Sequence, residues 1–587
     1  MSTAQDNNPE KKLSKAEQIK EDSHGLLGRI AEELTETSPA FSGESVTLLK
    51  HHGTYQQDDR DTRSERKKQG LDRDYRMMIR TKFPGGYLTA EQWLICDELA
   101  TKYGQDDLRV TSRQGFQFHG VVKGALYPLM HELNRLAEIT TWGACGDVVR
   151  NTMACPVSDI EPRFVEAGID LYGLAKEISN HFLPSTPSYY DLWVEDKKAS
   201  LNSDGTVTFH EQPRAMEEAD PIYGHRYLPR KFKIGLAADF DNSIDVYTQD
   251  VGIMAVTRQG ALEGYEILVG GGLGYTHRKP ATYARLGTPL AFVQRDEIVP
   301  LLEAIVKVQR DHGDREDRRH ARLKYLVDDR GIDGLRELVF RYAGREFDPP
   351  RGIEPTAQPD YLGWHRQAQE GLNYVGVWVA NGRVRDFPGS FQFKSGLRLI
   401  AERFEPSFRL TPHHNVIIAN IRDEDVEELE GILNSHDIPT ATGVSALRRR
   451  EMACPALPLC GLALAEAERA VDDVITAVEE AGHADADVVI RMSGCPNNCP
   501  RPKTAELGIV GAAVDKYHVH VGGDYLGRRL CEPLRDNVRT KELPTLISQL
   551  LDWWKAEAHK GERFGDWANR LGAETLRQRV EEAFPTS

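Results

Sequence analysis

Four short phrases of the chain occur twice, each time in the same order. "LRVTSRQGFQFHGV" (108–121) aligns with "FRLTPHHNVIIANI" (408–421), and "MACP" at 153–156 returns at 452–455. "DVGIMAV" (250–256) is matched by "ELGIVGA" (506–512), and "LVGGGLG" (268–274) by "HVGGDYLG" (520–527). The kept order gives two copies of a two-part unit, at about 70–330 and about 345–570. Solenoid repeats run roughly 20–50 residues, so a spacing this long means a duplicated domain with pseudo-twofold symmetry. Within each copy, short β-rich runs alternate with stretches such as "LTAEQWLICDELATKYG" and "EDVEELEGILNSHD", whose apolar residues recur at helical spacing. The expected fold class is α+β, an internally duplicated two-part unit of mixed sheets and helices.

Composition enters where it limits partners. Net charge is −16, with acids spread along the 587 residues, which argues against non-specific nucleic-acid binding. A local cationic pocket is still compatible with it. The uncharged stretch Met452 to Ala465 is interrupted by Pro455 and Pro458 and is too short for a membrane span, so no membrane association is expected. The opening "MSTAQDNNPEKKLSKAEQIKEDSHG" has neither the apolar core of a secretory signal nor the acid-poor look of a transit peptide, and a cytoplasmic chain is expected. Residues 1–65 read as a polar leader with short helical pieces, ordered against a partner.

Eight cysteines in such a chain serve better as ligands, catalysts or core residues than as disulfides. Two close pairs stand out: Cys454 and Cys460 in "MACPALPLCG", and Cys495 and Cys499 in "SGCPNNCP". Four thiolates from two loops suit zinc or an iron–sulfur cluster. The five-residue gap with its prolines fits the tight knuckles of zinc poorly, and proline after a ligand cysteine is a feature of ferredoxin-type loops. Cys96, Cys145, Cys155 and Cys531 are isolated and read as packed residues.

Cations gather in several places. In "LPRKFK" (228–233), an extended chain puts Lys231 and Lys233 on one face and Phe232 on the other. Either an anion lies between the lysines or this is a solvated edge strand, where lysines discourage aggregation. If "TSRQGFQFHG" (111–120) is one strand, Thr111, Arg113, Gln117 and His119 share a face suited to a polycarboxylate or oxyanion. An amphipathic strand facing water is the alternative. Arg80 and Arg150 sit beside apolar runs where an unpaired charge is costly. "VGGGLGY" lacks the last glycine of a dinucleotide fingerprint, because Tyr275 stands there, so nucleotide binding is rejected.

Taken together, "CPALPLC" with "SGCPNNC", the duplicated halves, "RKFK", "RQGFQFHG" and "GDVVRN" resemble the sirohaem and [4Fe–4S] sulfite and nitrite reductases. The resemblance runs from about residue 45 to about 570. It implies ferredoxin-like half domains at 66–140 and 345–425, a sirohaem and substrate domain at 141–335, and a cluster and sirohaem-ligating domain at 426–575, with the cofactors between the halves. It implies that Cys454, Cys460, Cys495 and Cys499 hold the cluster, and that Cys499 also ligates the sirohaem iron. Arg80, Arg150, Lys231 and Lys233 would then face sulfite, while Thr111, Arg113, Gln117, His119, Asn151 and Arg230 would bind the cofactor. The implied reaction is six-electron reduction of sulfite to sulfide. "HHGTYQQDDRDTR" resembles members served by an NADPH-linked flavoprotein carrying FAD and FMN, which makes residues 1–65 a candidate docking segment for it. The alternatives are a ferredoxin-dependent sulfite or nitrite reductase and, in a different class, a non-catalytic iron–sulfur carrier or zinc scaffold.

Overall fold

The duplication is written in the order of four five-stranded sheets. The computed structural model describes residues 13–196 and 198–585. In the larger part of copy one, Met153–Ala154, Ile234–Ala238 and Val251–Arg258 run parallel, and Ala261–Val269 and Thr288–Val293 continue antiparallel. Copy two repeats the pattern strand for strand with Met452–Ala453, Ile490–Ser493, Leu507–Ala513, Lys516–Val521 and Glu532–Val538. Each sheet is followed by a long amphipathic helix, Ile298–His312 in one copy and Leu543–Glu557 in the other.

The smaller parts of the two copies interlock. Thr54–Asp58, Tyr75–Arg80, Phe116–Val121 and Leu108–Val110 form one sheet, whose last place is taken by Arg383–Val384 of copy two. Gly363–Arg366, Leu372–Val377, Val416–Arg422 and Ser407–Leu410 form the other, whose last place is taken by Tyr87–Thr89 of copy one. Each copy therefore lends the other an edge strand. Beneath them lies the helix Ala90–Tyr103, started by a capping box of Thr89 and Gln92. Its buried Trp93 meets Phe116 edge-on at 5.4 Å and stacks on Phe408 at 4.3 Å, one ring from each copy. Such pairs add about 0.5–1.5 kcal/mol beyond area burial.

Two expectations are corrected. Residues 13–65 are ordered by the domain itself, not by a partner. Leu26, Ile30, Leu34, Phe41, Leu48 and Leu49 join the main core, and Thr54–Asp58 is the outer strand of the first half sheet. Most of the segment's sparse apolar residues pack on this core, Ile19, Leu27 and Val46 only partly buried, which its polar composition conceals. Residues 1–12 of the expected leader lie outside the described residues. Nor is 111–120 a single strand. Leu108–Val110 ends in a turn at Thr111–Gly115 before Phe116–Val121 returns, with Arg109 opposite Gln117. Thr111 Oγ1 accepts from the Arg113 and Gly115 amides, both at 3.3 Å, and Gln114 adopts a φ of 53°. Copy two makes the same turn, with Thr411 Oγ1 accepting from the Asn415 amide at 3.0 Å. Thr111, Arg113, Gln117 and His119 thus do not share one strand face.

Candidate active site between the two copies

The segment 230–233 leads into Ile234–Ala238, which has a neighbouring strand on each side, so the lysines are not on a sheet edge. Phe232 is buried and bridges Val149. Lys231 and Lys233 face the other way, half-buried, into a cleft that also receives Arg113, Arg322, Gln249 and Cys499. Copy one supplies Lys231, Lys233, Arg113 and Arg322, and copy two supplies the cysteine and Arg501. Burial first, and then Arg150, Arg230 and Arg322, hold the Lys231 ammonium well below the usual lysine range, with Cys499 pulling the other way. Burial, Lys231 and Arg113 do the same to Lys233.

Arg113 reaches the cleft from the turn. Its guanidinium donates to Gln249 Oε1 at 2.9 Å, to the Asn151 carbonyl and to the Ile234 carbonyl at 3.3 Å. Asn151 holds the turn in return, giving its amide to the Phe83 and Arg113 carbonyls at 2.7 and 2.8 Å. Arg150 donates to the Gly146 carbonyl from Nε at 3.1 Å and lies in the electrostatic field of Lys231 and Arg113. Arg80 is opposite Gln117 across the first half sheet. Arg230 lies beside Arg318, Asp147 and Arg150 and, like Arg80, Gln117, Arg150 and Asn151, is outside the residues that line the cleft. His119 points into an ion network with Arg383, at 3.2 Å, and through it to Asp107 and Glu468. Burial and Arg383 push its ring well below the usual histidine range.

The four paired cysteines come from loops after equivalent ends of the copy-two sheet. Cys454 and Cys495 are buried, Cys460 is half-buried and Cys499 is exposed to the cleft. The Gly494 amide donates to Cys454 Sγ at 3.3 Å, and the Asn497 side-chain amide to Cys495 Sγ at 3.4 Å. Burial and then Cys499 push the thiols of Cys454 and Cys495 up to about 12 each, and burial with Cys454 pushes Cys460 to about 11. They stand close enough to feel one another. Among the described residues, however, no three His, Cys, Asp or Glu side chains converge tightly enough for a single ion. Cys96, Cys145, Cys155 and Cys531 are packed in the interior.

Several residues of the site carried no sequence signal. Arg322 clamps Asp250, with Nε to Oδ1 at 3.1 Å and a terminal nitrogen to Oδ2 at 2.7 Å, and the Lys233 amide donates to the same carboxylate at 3.0 Å. The glycine-rich 268–274 stretch does have a purpose. A Cβ on Gly272 would lie 2.6 Å from the Arg322 guanidinium. The loop then seats the cysteine loop: Leu273 O accepts from Asn498 Nδ2 at 2.8 Å, and the Tyr275 amide donates to Pro496 O at 3.0 Å.

A family model described as the nitrite and sulphite reductase 4Fe-4S domain matches residues 145–347 and 446–587. A second, the nitrite/sulfite reductase ferredoxin-like half domain, matches residues 69–136 and 365–436. The chain belongs to the nitrite and sulphite reductase family. It is 40% identical over 569 residues to the "Sulfite reductase [NADPH] hemoprotein beta-component" of Staphylococcus haemolyticus, covering 96% of each chain. To the protein of the same name from Geobacillus kaustophilus it is 40% identical over 574 residues, again covering 96% of each. The "Sulfite reductase [ferredoxin]" of Synechococcus elongatus is 39% identical over 579 residues, which cover 97% of this chain and 91% of that one. The solved structure of the Mycobacterium tuberculosis NirA protein superposes with a TM-score of 0.76 at 23% identity, over 96% of this chain and 98% of that one, and shares its fold. Like the family, this reductase pairs its ferredoxin-like halves with two copies of the 4Fe-4S domain. Among the described residues, no helix is long and apolar enough to cross a membrane.

Proposed function

We propose that this chain is the haemoprotein component of a cytoplasmic sulfite reductase. It would reduce sulfite to sulfide by six electrons, with Cys454, Cys460, Cys495 and Cys499 holding a [4Fe–4S] cluster and Cys499 also serving a sirohaem, the two groups that would supply the electron chemistry. The observation that carries this reading is the cleft itself, where Cys499 of one copy faces Lys231, Lys233, Arg113 and Arg322 of the other.

The residues fit both groups. Arg80 Nε, Arg113 Nε, Gln117 Oε1 and Asn151 Oδ1 are buried without a hydrogen-bond partner, and such orphans are rare in a finished interior. Of these Arg113 lines the cleft with Lys231, Lys233 and Arg322, and such cations match the carboxylates of a sirohaem, while Cys454, Cys460, Cys495 and Cys499 match the thiolate set of a cubane. When bound, the two centres supply the electron transfer to sulfur. The chain supplies the rest. Arg80, Arg150, Lys231 and Lys233 neutralise the oxyanion in a site of low dielectric, where charge-assisted hydrogen bonds are strong. The depressed lysines release protons readily as oxygen leaves as water.

For the donor, "YQQDDRD" and the beta-component relatives favour an NADPH-linked flavoprotein carrying FAD and FMN. The cyanobacterial relative favours ferredoxin as a second reading. Sulfite turnover with NADPH and flavoprotein, set against turnover with reduced ferredoxin, decides between them, and nitrite in place of sulfite decides the substrate. The absorption and EPR spectra of the purified protein test the whole reading. A porphyrin band with cluster iron is expected, and a colourless protein, or one with cluster absorption alone, would overturn it.

A further inference from the structure

The loop that carries Cys495 and Cys499 has a counterpart in copy one. Counted from the strand starts Ile234 and Ile490, the two loops run without insertion to Asp250 and Glu506. In that register Asn242 corresponds to Asn498, and Asp245 to Arg501. The equivalent residues do equivalent or complementary things. Asn242 Nδ2 donates to Leu526 O at 2.8 Å, as Asn498 Nδ2 does to Leu273 O. Asp245 and Arg501 pair directly, Nε to Oδ2, across the pseudo-twofold axis.

The pair is built into the interior. Asp245 is 1% exposed and Arg501 6%. Arg491 also donates to Asp245 Oδ2, at 2.9 Å, and Gln358 Nε2 donates to Oδ1 at 2.7 Å, so the carboxylate has a partner on each oxygen. The terminal nitrogens of Arg501 reach the Pro412 carbonyl at 3.1 Å and the Ser112 carbonyl at 3.5 Å. Those carbonyls belong to the equivalent hairpin turns of the two copies. Ser112 Oγ in turn donates to the Cys499 carbonyl at 3.2 Å. Arg501 itself has a φ of 62°, a conformation that a side chain with fixed partners can hold in place.

We infer that Asp245 is a positioning residue for the metal-ligand loop: through Arg501 it fixes the backbone that presents Cys499 to the cleft. The inference rests on the reading of Cys499 as the shared ligand. Other ties already hold the copies together, namely the exchanged strands and the two asparagine hooks. What Arg501 adds is a link between both hairpin turns and the cysteine loop, and Asp245 keeps its guanidinium there.

The test uses the full-length protein with Asp245→Asn, which keeps the shape and removes the charge. In the holoprotein, cluster iron should stay near the wild-type content while the spectroscopic coupling between haem and cluster falls about tenfold. In the chain prepared without cofactors, alkylation of Cys499 by iodoacetamide should quicken about tenfold while Cys460, the internal reference, keeps its rate. Asp245→Glu should restore both. Unchanged coupling and an unchanged Cys499 rate would overturn the inference, as would equal acceleration at Cys460, which marks general loosening. If Asp245→Asn does not fold, Arg501→Lys, which keeps a cation beside Asp245 but loses the reach to the turns, is judged by the same outcomes. Cys499→Ser in parallel separates the two ideas. Intact coupling in that variant defeats the ligand reading, whereas lost coupling there with wild-type behaviour in Asp245→Asn defeats the positioning role alone.

Discussion

In copy one the residue that enters the central strand is Lys233; in copy two it is Val489. Both backbone amides donate at 3.0 Å to a buried carboxylate, Asp250 in the first case and Glu506 in the second. Each carboxylate is clamped by an arginine that opens the second helix after the sheet, Arg322 before Leu323–Ala343 and Arg563 before Phe564–Leu571. The clamp is common to the two copies, and the groups it holds up are different. Copy one has Lys231 and Lys233 where copy two has Asp487 and Val489, and copy two has Cys495 and Cys499 where copy one has Asp239 and Ser243. Symmetry belongs to the scaffold, while the side chains have been divided, Lys231 and Lys233 to one half and the paired cysteines to the other. The cleft is lined by loops of both halves.

The division can be broken most severely at the repeated "MACP". Cys454→Ser should abolish both cluster iron and sulfite turnover, measured by iron and acid-labile sulfide analysis. Its counterpart Cys155→Ser should leave both intact at a stability loss of about 1 kcal/mol, because Cys155 only donates weakly to the Asp241 and Leu236 carbonyls. Next in size are the clamps. Arg322→Ala and Arg563→Ala each leave a fully buried carboxylate unpaired and should destabilise by about 3–5 kcal/mol in denaturant titrations. Only Arg322→Ala should also lose sulfite affinity, because Arg322 lines the cleft.

Smaller again is the loss of a single cation. Lys231→Met should keep the cofactor spectra and lower kcat/KM for sulfite about 100-fold, or about 2.7 kcal/mol. Burial and neighbouring cations depress both lysines, so each sheds its charge at a lower pH than an ordinary lysine. Turnover should therefore fall on the alkaline side of the pH profile, and Lys231→Met should alter that limb. An unchanged limb would return the residue to a bystander. The smallest effects belong to the hooks: Asn498→Ala should destabilise by about 1 kcal/mol, and Asn242→Ala by about twice that, since Asn242 Oδ1 also accepts from the Val246 amide at 2.8 Å.

What the sequence disclosed, and what it hid, follows from range. The duplication was legible because strand cores such as Val251–Arg258 and Leu507–Ala513 recur as apolar runs. The lysines and arginines could be picked out by type, and the cysteine pairs by spacing. The exchanged strands left no trace: Tyr87–Thr89 and Arg383–Val384 are too short to show a period, and their partners lie hundreds of residues away. "TSRQG" passed for strand because the turn depends on Thr111 capping it and on a positive φ at Gln114, which nothing in an apolar–polar pattern reports. The clamp of Arg322 on Asp250 and the pairing of Asp245 with Arg501 join residues 72 and 256 positions apart. Such contacts are products of the fold and appear only once it is formed.

The exchanged edge strands have a consequence for how the chain can be divided. Cut between the copies, neither fragment contains all of its own half sheet; the first keeps Leu108–Val110 as a bare edge and the second keeps Ser407–Leu410 as another. Each bare edge is shaped to accept a strand that its own kind also carries. A single unfused copy would close this gap by trading strands with a twin, an isologous exchange between two identical subunits. The continuous chain is therefore a tethered dimer, and the tether is what allows its two members to carry unlike residues.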